Sequence, residues 1–152
     1  MNDKASYSYR EDKNVPDFDD THPLMVFDGV CVLCSGGAAK LITWDKNGHF
    51  RFATAQSKLG HALLEHYGCD TVSFNTVLLV SGGKGYTKSD AYIETARQLG
   101  GWWKFLTIFH FIPKFIRNSL YDFKARNRYN WFGKTEYCKL IPKDVRDRFL
   151  EI

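Results

Sequence analysis

Apolar and polar positions divide the chain into short blocks. Leu24-Met-Val-Phe27 is a continuous apolar run ending at Asp28-Gly29, which predicts a buried strand and a turn. A helix is expected from about Cys31 to Lys46, with Ala38, Leu41, Ile42 and Trp44 supplying much of its apolar surface. Gly36 and Gly37, in its first turns, are poor helix formers that either allow close backbone approach or leave room for a substrate beside the cysteines. Asn47-Gly48 stops it. Phe50-Arg-Phe-Ala53 alternates as a strand does. Ser57 caps a second helix running through His66, with Leu59, Leu63, Leu64 and Tyr67 on its inner side. Thr76–Val80 is a short β-rich run, Gly82–Gly85 a turn, and Tyr86-Thr87 the start of a return strand. Ser89-Asp90 then caps a helix that ends at Gly100-Gly101.

Strand, helix, strand, helix, strand, strand, helix is the resulting order. Its first half forms a right-handed βαβ unit and the hairpin adds antiparallel strands. The expected fold class is therefore α/β, a thioredoxin-like mixed sheet covered by helices. After Gly101 an additional C-terminal helical segment is expected. Trp102–Phe111 is apolar and aromatic, and Pro113 opens a helix to about Arg126 with Phe115, Ile116, Leu120 and Phe123 inward. Residues 127–133 read as irregular, and Pro142 opens a short last helix with Val145 and Phe149 inward. Residues 1–21 read as a flexible acidic extension, and 22–152 as one domain whose helical cap begins near 102.

Charge sharpens this division. Residues 1–20 carry three basic and six acidic groups, and residues 101–152 carry eleven basic and five acidic ones. The overall charge of +4 thus comes from the cap. No apolar run is long enough to span a membrane, and no apolar leader segment precedes the first strand, which predicts a cytoplasmic protein with no membrane partner. In that compartment a Cys-x-x-Cys is catalytic or metal-binding more often than structural.

Cys31 and Cys34 lie three apart at the predicted start of a helix, so their sulfurs share a face. A helix N-terminus stabilises a thiolate, the reactive form of cysteine. The residue types predict dithiol–disulfide exchange, with Cys31 as the more exposed nucleophile and Cys34 resolving the mixed disulfide. Asp28 has two open roles: accepting the proton of Cys34, or bonding backbone N–H groups at the turn. Cys69 reads as packing, whereas Cys138 reads equally as packing or as an auxiliary thiol. Two other functions are compatible with the residues. A structural zinc site would join Cys31 and Cys34 to His61 and His66, although those histidines point to different faces of one helix. A binding module would use Arg126, Arg128, Tyr129, Trp131 and Lys134, which interleave charge and rings as nucleic-acid grooves do. Neither metal nor nucleic acid is the expected partner. The expected partner is a thiol or disulfide substrate, and no cofactor is expected.

Several separated motifs share a family. They are Phe27-Asp-Gly-Val-Cys-Val-Leu-Cys34, Phe50-Arg-Phe-Ala53 with Gln56-Ser57, Tyr86-Thr-Lys-Ser-Asp-Ala91, Leu99-Gly-Gly101, Pro113 with Tyr121, and Ala125-Arg-Asn-Arg-Tyr129 with Phe132-Gly133 and Cys138. In that order the chain resembles the DCC family of thiol–disulfide oxidoreductases, named for Asp-x-x-Cys-x-x-Cys, here Asp28, Cys31 and Cys34. The resemblance implies a thioredoxin-like fold and dithiol chemistry, and leaves the substrate unspecified. Thioredoxins place a cis-proline before a central strand, but Thr71–Asn75 contains no proline. Substrate docking by that loop is therefore not implied.

Overall fold

The computed structural model describes residues 4–134 and 143–151. Strand β1 (Leu24–Phe27) buries all four of its residues, so it lies at the centre of a sheet rather than at an edge. It pairs in parallel with β2 (Arg51–Thr54) and antiparallel with β3 (Leu78–Ser81). The hairpin partner β4 (Lys84–Thr87) lies outside β3, and β5 (Phe149–Glu151) adds in parallel to β2. The order β4-β3-β1-β2-β5 is that of a thioredoxin-like α/β sheet with one added edge strand. The turn of the hairpin is tighter than expected, since β4 begins at Lys84.

Alternation along the strands sends side chains to two cores. Leu24, Val26, Leu78 and Val80 meet α2 (Lys58–His66) on one face. Met25, Phe27, Phe52 and Leu79 meet Ala38 and Leu41 of α1 (Val32–Trp44) and Ala91 of α3 (Lys88–Leu99) on the other. Phe27, Phe52 and Phe149 form edge-on and tilted ring contacts there. Full burial of side chains of this size contributes about 1.5–3 kcal/mol each. Ser57 caps α2 as expected, its Oγ accepting from Gly60 N at 3.1 Å. By contrast, α3 starts one residue before the expected Ser89-Asp90 cap, and its N-cap Thr87 makes no side-chain capping bond.

The segment expected to be a loose extension places Tyr9 (2% exposed) and Val15 in the α2-side core. His66 fastens it, with Nδ1 at 2.7 Å from Asp12 and Nε2 at 2.9 Å from Ser8.

Beyond α3 the structure departs from the expected cap. Gly101–Phe111 is a 3-10 segment with no buried residue. Helix α4 (Lys114–Phe132) continues through the residues expected to be irregular. Its anticipated inner side is turned outward: Phe115 is 72% exposed and Leu120 67%. Ala125 and Arg128 are its buried residues instead. The physical reason is a set of polar anchors that fix the helix rotation. Tyr121 OH accepts from Val77 N at 3.0 Å, Arg117 pairs with Asp90, and Arg128 pairs with Asp28. Lys143–Arg148 is a 3-10 turn, and Phe149 turns inward from β5 rather than from a helix.

Candidate functional site

The turn after β1 sets the geometry of the cysteines. Gly29 is needed there because a Cβ would approach Thr54 Cγ2 to 2.9 Å and Gln56 Oε1 to 3.3 Å. Its N–H donates to Gln56 Oε1 at 3.0 Å. Cys31 then takes the N-cap position of α1 with extended backbone, and its Sγ accepts from Cys34 N at 3.4 Å. A sulfur therefore fills the place that Ser or Asp takes at ordinary helix starts, facing unpaired N–H groups and the positive end of the helix.

The two thiols are placed unequally. Cys31 is fully buried, while Cys34 is partly exposed, so the expectation that Cys31 is the more exposed is corrected. Cys31 is shielded because the chain after α4 returns over the site: Lys134 pairs with Cys31 in an antiparallel bridge. The acidity follows the expected direction. The Cys34 thiol donating to Cys31, then the Cys34 backbone N–H and the Arg128 charge, bring the Cys31 thiol down to about 6 against the effect of burial. Cys34, which donates to that sulfur and is desolvated, is pushed far up. The pair thus holds one thiolate and one thiol at neutral pH.

Asp28 lies at the floor of the site with its side chain fully buried. Its Oδ1 accepts from Val30 N at 3.0 Å and from Gln56 Nε2 at 2.7 Å. Its Oδ2 accepts from Arg128 Nη2 at 2.8 Å and from the Tyr129 hydroxyl. The Val30 bond is the turn role anticipated for this residue, and the remaining three come from far along the chain. Arg128 also donates to the carbonyls of Phe74 and Ser73, both at 2.8 Å. The loop that carries a cis-proline in thioredoxins is thus tied down here by an arginine from α4.

Two of the residues read as a nucleic-acid surface, Arg128 and Tyr129, face inward to Asp28. His66 has both ring nitrogens engaged by Asp12 and Ser8, away from the cysteines. Cys69 packs against the α2-side core, where burial pushes its thiol up to about 11. Cys138 lies outside the described residues. Reading the sequence as separate blocks missed Gln56, Arg128 and Tyr129 as site residues. Their signal was present, since each belongs to one of the motifs named above, and those motifs converge on Asp28.

The model of the DCC1-like thiol-disulfide oxidoreductase family matches residues 25–134. The chain is similar to a protein named "Uncharacterized protein YuxK" from Bacillus subtilis (strain 168), at 39% identity over 127 residues, covering 84% of this chain and 93% of that one. It is also similar to "DCC family protein At1g52590, chloroplastic" from Arabidopsis thaliana, at 37% identity over 123 residues, covering 80% and 72%. No solved structure matches the chain. Among the described residues no helix is long and apolar enough to cross a membrane.

Proposed function

We propose, since the chain belongs to the DCC1-like thiol-disulfide oxidoreductase family, that Cys31 and Cys34 carry out thiol–disulfide exchange on a thiol or disulfide substrate. The observation that carries this reading is the Cys31 sulfur at the N-cap of α1, accepting from Cys34 N. Cys31 attacks a disulfide sulfur as the thiolate, forming a mixed disulfide and releasing one substrate thiolate. Cys34, once deprotonated, attacks Cys31 in that mixed disulfide, closing the Cys31–Cys34 bond and releasing the second substrate thiol. The reverse sequence oxidises a substrate dithiol. The proposed location is the cytoplasm, where a Cys-x-x-Cys is catalytic more often than structural.

Asp28 acts as a positioning residue. Each of its oxygens already accepts two hydrogen bonds, so its part is to hold the turn and to keep Arg128 beside the thiols. Asp28→Asn separates this from proton transfer. Removing a negative charge that opposes the Cys31 thiolate lowers the alkylation midpoint of Cys31. A proton-accepting Asp28 would in addition slow the resolving step, whereas a positioning Asp28 leaves the rate of that step in place.

Trapping tests the exchange itself. Cys34→Ser with glutathione disulfide is expected to accumulate a mixed disulfide at Cys31, read by peptide mass mapping. Accumulation at Cys34 in Cys31→Ser, and none in Cys34→Ser, would exchange the two roles. No adduct in either variant, and no Cys31–Cys34 bond after mild oxidation of the native protein, would overturn the function.

A further inference from the structure

A cavity of about 550 Å³ lies beside Cys34, between α1, α3, the 101–111 segment and α4. That volume is in the range of small-molecule pockets, about 300–1,000 Å³. Cys34 lines it and Cys31 does not. Leu41, Leu106, Trp103, Tyr121 and Phe132 give it apolar and aromatic walls. Trp44 meets Trp103 along the same wall, with ring centroids 4.1 Å apart and the planes tilted by 33°. The helix wall has a gap at Gly36 and Gly37, where an added Cβ would meet no atom within 4 Å. An apolar space of this kind takes an apolar body.

Its charges are one-sided. Lys40, Lys124 and Arg128 line the cavity, and among the described residues no carboxylate does. Arg128 is 2% exposed, and its Nη groups are occupied by Phe74, Ser73, Asp28 and Tyr129. Its Nε is buried and has no acceptor among the described residues. That atom is closed off from the cavity, so what Arg128 gives the cavity is its positive charge.

We infer that this cavity binds a small organic acid with an apolar body, whose dithiol or disulfide is the exchange partner of the Cys31–Cys34 pair. The inference rests on the exchange chemistry proposed above. In the direction that reduces the protein, the ligand's two S–H bonds and the protein's S–S bond break. One ligand S–S bond and the Cys34 S–H bond form, while Cys31 is left as the thiolate. Two electrons and one proton pass from ligand to protein, the second proton passes to solvent, and no further reductant enters. The apolar walls hold the body, and the positive charge of Lys40, Lys124 and Arg128 favours the acid group.

Binding is separated from chemistry in the Cys31→Ser/Cys34→Ser protein, which cannot exchange. Its tryptophan fluorescence is titrated with lipoate, an apolar acid carrying a cyclic disulfide, and with the neutral lipoamide. Saturable quenching by lipoate at an affinity at least tenfold tighter than lipoamide is expected. Gly37→Leu in the same background fills the gap in the wall and is expected to abolish it. Leucine is the better helix former, and circular dichroism checks that the fold is kept. Equal affinities for lipoate and lipoamide, absence of saturable quenching, or quenching unchanged by Gly37→Leu would overturn the inference. In the second arm, dihydrolipoate is expected to reduce the oxidised native protein at least tenfold faster than dithiothreitol at equal concentration. Equal rates would overturn the substrate assignment. A native protein that binds lipoate but forms no Cys31–Cys34 bond would remove the exchange reading, and the substrate assignment with it, while the binding arm stood.

Discussion

Below the cysteine pair, β1 buries every residue it carries; above it, the Gly101–Phe111 segment buries none. Both stretches are strongly apolar, so composition does not separate them. What differs is how each is held. The sheet is held by side chains that fill two cores, and its register fixes which residues face which core. The cap is held by polar anchors: Arg128 on Asp28, Arg117 on Asp90, Lys88 on Asp122, and the Tyr121 hydroxyl on Val77 N. Packing thus places the cysteines, while anchoring brings the guanidinium that tunes them. If so, the cap should fail at its anchors and be tolerant elsewhere, whereas the sheet should fail wherever its cores are hollowed.

The largest effect is expected at the anchor that reaches the site. Arg128→Met leaves the Asp28 carboxylate buried without its cation, and removing one partner of a buried pair costs about 3–5 kcal/mol. Urea unfolding of the reduced protein measures it. The double variant Asp28→Asn/Arg128→Met should lose less than the sum of the single losses, because neither charge is then left alone. Additive losses would mean that the two residues act independently and that the cap is not held this way. Leu78→Ala comes next, at about 2–5 kcal/mol for a fully buried leucine in the sheet core. Its loss should leave Cys31 alkylation unchanged in the folded protein, since it alters packing on the α2 side alone.

That ordering also explains what was legible in the sequence. The apolar run of β1, the Asp28-Gly29 turn and Cys31-x-x-Cys34 are local signals, and the strand and helix formed where those signals placed them. Ser57 was legible for the same reason. The orientation of α4 was not. Its apolar positions Phe115, Ile116, Leu120 and Phe123 look like a core-facing stripe, and periodicity has no means of recognising that a carboxylate one hundred residues earlier will claim Arg128. The exposure of Cys31 failed similarly, because Lys134 covers it from another part of the chain. Local rules located the reacting atoms, and long-range polar pairing decided their access and charge.

A smaller effect tests the coupling of the two regions at the thiols. With the Cys31 thiol at about 6, its alkylation rate should rise through pH 6 and level off near neutrality. An ordinary thiol, near 8.5, would still be climbing. Arg128 contributes to that shift, so Arg128→Met should move the midpoint upward. A change of one pH unit corresponds to about 1.4 kcal/mol. The linkage has a defined sign. Cys31 is more acidic folded than unfolded, so its contribution is present above the unfolded value and is lost as pH falls through about 6. Cys34 is shifted the other way, and its contribution is present below the unfolded value and is lost as pH rises above it. The reduced protein should therefore gain stability from pH 6 towards 9 and give part of it back beyond. A midpoint near 8.5 in the native protein would remove the basis for Cys31 as the thiolate.

The smallest effect is expected on the outer face of the cap. Phe105 is 70% exposed and Phe111 86%, and neither belongs to either core. Phe105→Ser and Phe111→Ser should each change stability by no more than about 0.5 kcal/mol, as substitutions at open surface positions do. Near-zero values at these rings beside several kcal/mol at Arg128 would confine the cap's attachment to its polar anchors. Losses above about 1 kcal/mol would show the opposite, that these rings are covered in solution. Covering by a second copy would then make the unfolding midpoint rise with protein concentration, because anything that binds only the folded state stabilises it by mass action. Concentration series on the native protein and on Phe111→Ser therefore decide whether the contrast between sheet and cap belongs to one chain or to an assembly.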